Sequence, residues 1–340
     1  MVVALDGTPL TLTSGGLRRY TEELLRALET EFPDDRFVAV SDQLTPPRNW
    51  LDRRWWTIGL VRTLSRLGCD VFHGTDFAVP YVPLRPAVMS VHDVSPWMNP
   101  AWHSGAGRVR RRAPLLIRLG IATMLITGTE AVRRQIIDLF NADPGRIVVV
   151  PDAPAPHLRR IDAPPPERPY FLFVGTVEPR KNVPVLIDAW RHVRSRYPVD
   201  LMIAGRFRSD APAVDAEPNL ILRGEVTDDE LASLYSGAVA LVYPSLYEGF
   251  GLPVIEAMQC GTPVITSNDP ALIEVSGAAG LHTSSDGLAH AMESLLLNPP
   301  ERQRQSELGL VRARDFSWQR TARLTREVYA EAIARFRPFL

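Results

Sequence analysis

The sequence predicts an α/β protein built from two doubly wound parallel-sheet domains facing each other across a cleft. Three observations carry this expectation. Short β-branched runs alternate with helix-like stretches along the chain, and strands separated by helices imply parallel sheets with right-handed crossovers. A length of 340 residues exceeds what one ordinary core accommodates. The segment Pro151 to Pro169 contains seven prolines and few apolar anchors, and reads as an interdomain linker.

The first strand series is expected at residues 2–5, 36–40, 71–73, 87–91, 124–127 and 147–150, and the second at 170–174, 200–204, 219–222, 240–243 and 263–266. Helical periodicity fills the intervals, most clearly at 17–31, 129–140, 183–196 and 228–236. The domain division is therefore 1–150, a linker 151–169, and 170–316. A final helical segment, 317–340, follows, and could pack back on the first domain. In such sheets ligands bind beyond the carboxyl ends of the strands.

Composition narrows the function classes. An apolar share of 45% with 23% charged residues fits a soluble globular protein, and a net charge of -1 favours no nucleic-acid partner. Cys69 and Cys260 lie too far apart in sequence for a disulfide framework or a metal cluster, so a reducing cytoplasm is the default. No basic region or cleavage site precedes Val2, so no signal peptide is expected. The longest apolar stretch, 113–127, is broken by Arg118 and too short to span a bilayer. Membrane work would have to be done from the surface.

Lys181 is the single lysine among 38 basic residues. Its ammonium is a compact point charge suited to one oxygen in a tight site. It follows the strand expected at 170–174, in Gly175-Thr176-Val177-Glu178-Pro179-Arg180-Lys181-Asn182, where nucleotide phosphates are commonly held. A second constellation is Glu248-Gly249-Phe250-Gly251-Leu252-Pro253-Val254-Ile255-Glu256, after the strand at 240–243. Its glycines permit close backbone approach, and Pro253 suits the first turn of a helix. Free amides around Phe250 to Leu252 would point at an anion with the helix dipole behind them. Carboxylates beside an anion site suit hydroxyl groups, and the combination describes a nucleotide sugar.

Glu248 and Glu256, spaced around Gly-Phe-Gly-Leu-Pro, resemble the signature of retaining glycosyltransferases of family 4, which have the GT-B fold of two Rossmann-like domains. Ser14-Gly15-Gly16-Leu17-Arg18-Arg19-Tyr20 is similar to that family's glycine loop, and Val71-Phe72-His73-Gly74 and Val91-His92-Asp93 to its next two strand ends. Residues 174–182 resemble its phosphate loop, and Phe316-Ser317-Trp318 the start of its closing helix. Five such matches in order cover nearly the whole chain.

By resemblance, Lys181 and Arg180 bind the donor pyrophosphate, Glu256 the ribose hydroxyls, and Glu248 the hydroxyls of the transferred sugar. The amides of Phe250, Gly251 and Leu252 assist, Gly15 and Gly16 close over the phosphate, and His92 contacts the sugar near the reacting centre. Catalysis is thus assigned to His92 and Glu248. Two departures stand out. Thr176 occupies the position where many members carry Arg, so either Arg180 supplies that charge or one cation is missing. Asp152-Ala153 replaces a common Asn-Gly, which reads as linker variation.

The chemistry is coherent on its own terms. A leaving diphosphate needs stabilisation as the glycosidic bond breaks. No Asp-x-Asp metal motif occurs in the chain, and a cationic pair with a helix amino terminus supplies the charge instead. No metal and no cofactor are expected, only a nucleotide-sugar substrate, GDP-mannose or a UDP-sugar. In the resembling family the departing phosphate takes the acceptor's proton on the same face.

On the acceptor side His73, Asp93, Trp97 and His103 are the candidates, although His103 lacks the strand-end context of His73 and His92. His157, His192, His282 and His290 read as structural or surface groups. No nucleophile elbow surrounds Ser90 or Ser95, which disfavours a hydrolase. Trp50, Trp55, Trp56, Trp97 and Trp102 fall near Arg53, Arg54 and Arg110 to Arg112. Two readings stand: core aromatics with a solvated basic helix, or a face resting on anionic headgroups. The second implies a lipid-linked saccharide acceptor at the inner membrane face. The function expected is a retaining, metal-independent hexosyltransferase of the mannosyltransferase-like group, acting in envelope polysaccharide synthesis. The alternatives are a GT-B epimerase or phosphorylase, or a nucleotide- or glycan-binding protein without activity.

Overall fold

A computed structural model describes residues 1–12, 15–103, 105–162 and 166–337. The chain forms two compact units, Met1–Asp152 with Ser317–Leu340, and Ala153–Phe316.

The first unit carries β1 (Val2–Asp6), α1 (Gly16–Glu31), β2 (Arg36–Val40), α2 (Leu60–Leu67), β3 (Val71–Gly74), β4 (Ala87–Ser90), the single turn α3 (Ser95–Met98), α4 (Gly107–Arg118), β5 (Met124–Thr127), α5 (Glu130–Phe140) and β6 (Ile147–Val149). Its strands are all parallel, in the order β2-β1-β3-β4-β5-β6. Consecutive strands β1 and β2 lie side by side, and β3 joins the other edge of β1, with Leu5 opposite His73. The carboxyl ends of β1 and β3 are therefore the point where the winding reverses.

The second unit carries β7 (Tyr170–Val174), α6 (Val183–Arg194), β8 (Asp200–Ala204), β9 (Leu220–Gly224), α7 (Asp228–Gly237), β10 (Ala240–Tyr243), α8 (Leu252–Gln259), β11 (Val264–Thr266), α9 (Pro270–Ser276), β12 (Gly280–His282), α10 (Leu288–Leu297) and α11 (Pro299–Ala313). Its order, β12-β11-β10-β7-β8-β9, places β7 beside β10, with Leu172 opposite Leu241. Phe171, Leu172 and Phe173 are all fully buried. Both faces of the sheet are covered, which is why these strands read as continuous apolar runs without alternation.

The expected elements lie within a few residues of those observed, with informative exceptions. Asn219 is not in β9; it adopts φ 71°, a left-handed turn that any β-branched residue would resist. β12 was not anticipated, since Gly280–His282 is three residues long and contains no β-branched side chain. The expected linker is corrected more substantially. Ala153, Ala155 and Leu158 are buried, and Gln259 Nε2 donates to the carbonyls of Ala155, at 2.8 Å, and of Leu158. Small apolar side chains between prolines thus anchor this stretch to the second unit. Residues 163–165 of the expected linker lie outside the described residues.

The last helix, α12 (Trp318–Arg335), belongs to the first unit and packs along α1. Ser317 caps it through the Arg320 amide, and Thr321 donates to the Pro151 carbonyl at 2.7 Å. Arg326 pairs with Asp35 at 2.7 Å. Residues 338–340 of the expected terminal helix lie outside the described residues. In the core Tyr329 brings its hydroxyl to 2.7 Å from His73 Nδ1, while His73 Nε2 stands 2.8 Å from Ser90 Oγ. Tyr20 completes the chain at 3.0 Å from Ser90 Oγ. All four side chains are buried, so each partner removed leaves an unpaired polar group. Tyr329→Phe should therefore lower the stability of the first unit by about 1–3 kcal/mol. Chemical denaturation followed on that unit checks this, and an unchanged midpoint would show that the bond contributes nothing.

Candidate active site

In the second unit the topology itself assembles the candidate donor residues. β7 and β10 are neighbours although widely separated in sequence, and the loops leaving their carboxyl ends meet. After β7 the backbone passes Gly175, whose φ is 144°, and forms a bridge between Val177 and Phe207. It then makes a 3₁₀ turn, Pro179–Lys181, ending at Asn182 with φ 56°. This turn presents Arg180 and Lys181 toward the loop after β10. Leu246 N donates to Arg180 O at 2.9 Å, which ties the two loops together.

Glu248 sits between the two cations. Lys181 Nζ lies 2.5 Å from Glu248 Oε1 and 2.6 Å from the Tyr243 hydroxyl. Arg180 Nη1 donates to Glu248 Oε2 at 2.9 Å and to the Tyr247 carbonyl at 2.8 Å. Its other edge is held by Glu178 Oε1. Burial alone would raise the Glu248 carboxyl, but Lys181, and then Arg180, outweigh it and hold it down at about 2. Burial draws Lys181 below an ordinary lysine, with Glu248 opposing and Arg180 adding to the descent. Glu248 was expected to stand ready for sugar hydroxyls. Both of its oxygens are instead engaged by cations, because a buried carboxylate takes the nearest positive charge.

The helix start was expected to offer free amides. Gly251 has φ 93°, and a Cβ there would lie 2.5 Å from Leu272 Cδ2, so only glycine fits. The amides of Phe250, Gly251 and Leu252 make no hydrogen bond to the described residues. Glu256, buried in the second turn of α8, has Oε2 3.2 Å from the Tyr235 hydroxyl. Thr176 is half-buried and its side chain makes no hydrogen bond among the described residues.

Two charged residues were not singled out from sequence. Arg208, on the loop after β8, reaches Glu178 and also chelates Asp210, putting a third cation beside the loop where Thr176 replaces Arg. Its signal was its place just after Gly205 at a strand end. Asp269 accepts the amides of Glu248, Ala271 and Leu272. Burial pushes its carboxyl up to about 6 despite those amides. It caps α9 and pins the Glu248 backbone, a role no local motif announced.

In the first unit Gly15 caps α1 with φ 118°, and a Cβ there would meet nothing within 4 Å, so the glycine is required by conformation rather than space. Gly16 begins the helix, and Ser14 of the expected glycine loop lies outside the described residues. His92 Nε2 donates to the Thr75 carbonyl at 2.8 Å, and its ring meets Tyr20 edge-on at 4.5 Å. Neutral His92 in that tautomer presents Nδ1 as an acceptor. Burial pushes the Asp152 carboxyl up to about 6, with His92 pulling it back. Asp76 is likewise raised by burial, against His92.

The acceptor-side expectations need correction. His73 cannot touch a ligand in this structure: it is fully buried, both ring nitrogens are engaged, and burial pushes it down to about 3, which keeps it neutral. Asp93 Oδ1 accepts the amide and hydroxyl of Ser95, and Ser95 Oγ is 2.7 Å from His103 Nε2, so these residues brace the α3 turn. Trp97 packs against Phe77 and Phe140, at 5.4 and 4.8 Å between ring centroids. Of the five clustered tryptophans, only Trp50 is exposed, whereas Trp55 is buried. The tryptophans therefore form no continuous surface face.

Known proteins resemble this chain in sequence and in fold. The sequence profile of Glycosyl transferases group 1 matches residues 155–310. O-antigen chain mannosyltransferase B of Escherichia coli is 34% identical over 285 residues, covering 76% of this chain and 74% of the relative. Among solved structures, sucrose-phosphate synthase of Thermosynechococcus elongatus matches with a TM-score of 0.75 at 19% identity, over 98% of this chain and 100% of that one. HepE of Anabaena, solved with UDP-glucose, matches with a TM-score of 0.73 at 15% identity, over 98% and 99%. The structural likenesses establish the fold, and the sequence likeness the relationship. The chain belongs to the group 1 glycosyl transferases, and is a GT-B glycosyltransferase of the family-4-like kind.

Proposed function

We propose that this glycosyltransferase moves a hexose from a nucleoside diphosphate sugar to a saccharide or lipid-linked acceptor, retaining anomeric configuration and needing no divalent metal. The observation that carries the reading is the pair Lys181 and Arg180 clasping Glu248 beside the unbonded amides of Phe250 to Leu252. Mannose is the favoured sugar, supported by the motifs and by the name of the Escherichia coli relative. GDP-mannose is then the donor, with a UDP-sugar as the alternative, and envelope polysaccharide the setting.

On this reading Glu248 is the counter-ion that Lys181 and Arg180 exchange for a diphosphate. A diphosphate carries more charge than one carboxylate and draws Lys181 and Arg180 to itself, with the α8 amino terminus behind it. Glu248, released, accepts hydroxyls of the transferred sugar, and Glu256, oriented by Tyr235, those of the ribose. Arg208 offsets the charge missing at Thr176, and Gly15 and Gly16 are the first unit's candidate phosphate-contacting residues, as the family resemblance implies. The bond between the sugar's anomeric carbon and the diphosphate oxygen breaks, and the acceptor oxygen bonds to the same face. Its proton passes to the leaving phosphate oxygen. His92 positions the sugar through Nδ1 and is not required as a base.

Cytoplasmic work at the inner membrane face is part of the proposal, and helix α4 supports it. Arg108, Arg111, Arg112, Leu115, Arg118 and Leu119 are exposed along this helix and its end. Arginine with leucine on one helical face suits a surface of anionic headgroups. Among the described residues no helix is long and apolar enough to cross a membrane.

Three experiments test these statements. Incubation with a panel of nucleotide sugars should release nucleotide from one of them, GDP-mannose first. Binding without release from any would instead favour a non-catalytic binding protein. Lys181→Ala should weaken nucleoside diphosphate binding by about 2 kcal/mol or more, roughly thirtyfold; unaltered affinity would remove Lys181 from the site. Sedimentation with vesicles should show binding that rises with anionic lipid and falls with salt. Equal recovery in the supernatant with neutral and anionic vesicles would refute the membrane contact.

A further inference from the structure

The carboxyl ends of the first unit's strands carry a polar arrangement of which the proposed transfer uses only His92. Asp6 ends β1, and Asp76 stands just past the end of β3. Thr75 ties this corner to His92: its hydroxyl donates to the Asp6 carbonyl at 2.9 Å, and its own carbonyl accepts from His92 Nε2 at 2.8 Å. Asp152 closes the first unit, where the bond from Thr321 to the neighbouring Pro151 carbonyl fixes its backbone. The Asp152 charge acts on both His92 and Tyr20, whose rings meet edge-on at 4.5 Å.

Three features distinguish these groups from core packing. First, Asp152 is only 7% exposed, yet its carboxylate makes no hydrogen bond or ion pair among the described residues. Neither oxygen is sealed from solvent, so a donor can reach them. A buried carboxylate without a donor is unfavourable, and a ligand hydroxyl would satisfy it. Second, Asp76 is half-buried and also lacks a hydrogen bond or an Arg or Lys partner among the described residues. Asp6, by contrast, is satisfied by the amide and hydroxyl of Thr8. Third, the turn that carries Asp76 is strained. Phe77 adopts φ 49°, a region that bulky side chains occupy only under constraint and that is found more often at functional sites. A Cβ on Gly74 would lie 1.5 Å from the Ala78 carbonyl oxygen, so the chain doubles back here and only glycine admits it.

All the unused capacity at this corner is acceptor capacity. His92 donates through Nε2 and presents Nδ1, and the two carboxylates add their oxygens. Burial pushes Asp152 up to about 6, with His92 opposing, which leaves it mostly ionised at neutral pH. We infer that this corner binds an uncharged, hydroxyl-rich sugar ring beside His92, with Asp76 and Asp152 setting its specificity. Their oxygens accept ring hydroxyls in charge-assisted bonds, and their charge repels a ring that bears phosphate or carboxylate. The ring belongs to the transferred hexose or to the acceptor saccharide, which share this chemistry. The inference rests on the proposed glycosyl transfer, because that reading brings a sugar to His92.

The test uses the full chain with two substitutions that keep side-chain shape, Asp76→Asn and Asp152→Asn. Each removes a poorly solvated charge, so the thermal midpoint should hold or rise. Ligand-observed NMR titrations, with GDP and then UDP present, compare methyl mannoside, glucoside and galactoside with their 6-phosphates. The wild type should bind at least one neutral hexoside roughly tenfold more tightly than its 6-phosphate. Either variant should weaken that hexoside roughly fivefold and narrow the preference, while calorimetric affinity for the nucleotide alone stays unchanged. A matching loss for GDP-mannose relative to GDP assigns the ring to the transferred hexose. Loss for the hexoside with GDP-mannose affinity kept assigns it to the acceptor. Equal binding of hexosides and their 6-phosphates, no hexoside binding, or unaltered hexoside affinity in both variants overturns the inference. Absent nucleotide binding would instead sink the donor reading, and the hexoside comparison still decides this one.

Discussion

One buried carboxylate held between two cations organises the second unit. Glu248 is 6% exposed and Lys181 8%, so each charge has lost most of its water. Desolvating two ions costs several kcal/mol apiece, and their attraction repays this only with close geometry and further hydrogen bonds. The Tyr243 hydroxyl, the Tyr247 carbonyl and Glu178 supply those bonds. The neighbourhood is shaped to keep the contact available: β7 and β10 are adjacent, Gly251 turns the chain into α8, and Asp269 pins the Glu248 amide. Such a cluster adds little net stability for its cost. What it provides is cations that are desolvated and oriented.

This resolves an apparent conflict in the motif. Carboxylates beside an anion site seem misplaced, since like charges repel. On the proposed reading, a carboxylate that holds the cations and yields them to an arriving anion is not misplaced. It pairs both Lys181 and Arg180, and the proposal couples its release to arrival of the ligand. The first unit shows a different economy of polar groups. The chain from Tyr329 through His73 and Ser90 to Tyr20 is wholly satisfied inside the core. Tyr20 then meets His92 edge-on, so the position of His92 is set by packing that reaches back to the final helix.

Much of the fold was legible because apolar runs and helical periodicity are local signals. The residues around Lys181 and Glu248 were also legible, one by compositional isolation and the other by spacing around two glycines. Their contact was not, since 67 positions separate them and only the order of strands in the sheet joins them. Arg208 and Asp269 were missed for the same reason, each being a lone charge on a loop. His73 misled in the opposite direction. A histidine at a strand end resembles a ligand-facing residue, but its partner Tyr329 stands 256 positions away and turns it into core. The tryptophans misled because proximity in sequence is not proximity on a surface.

The central claim is that Lys181 and Arg180 change partners, from Glu248 to a diphosphate. Calorimetric affinity for a nucleoside diphosphate across a double-mutant cycle of Lys181→Ala and Glu248→Gln tests it most directly. Exchange predicts that Lys181→Ala costs more affinity in the Glu248→Gln background than in the wild type, because there Lys181 has no carboxylate to leave. Equal cost in both backgrounds would contradict the account.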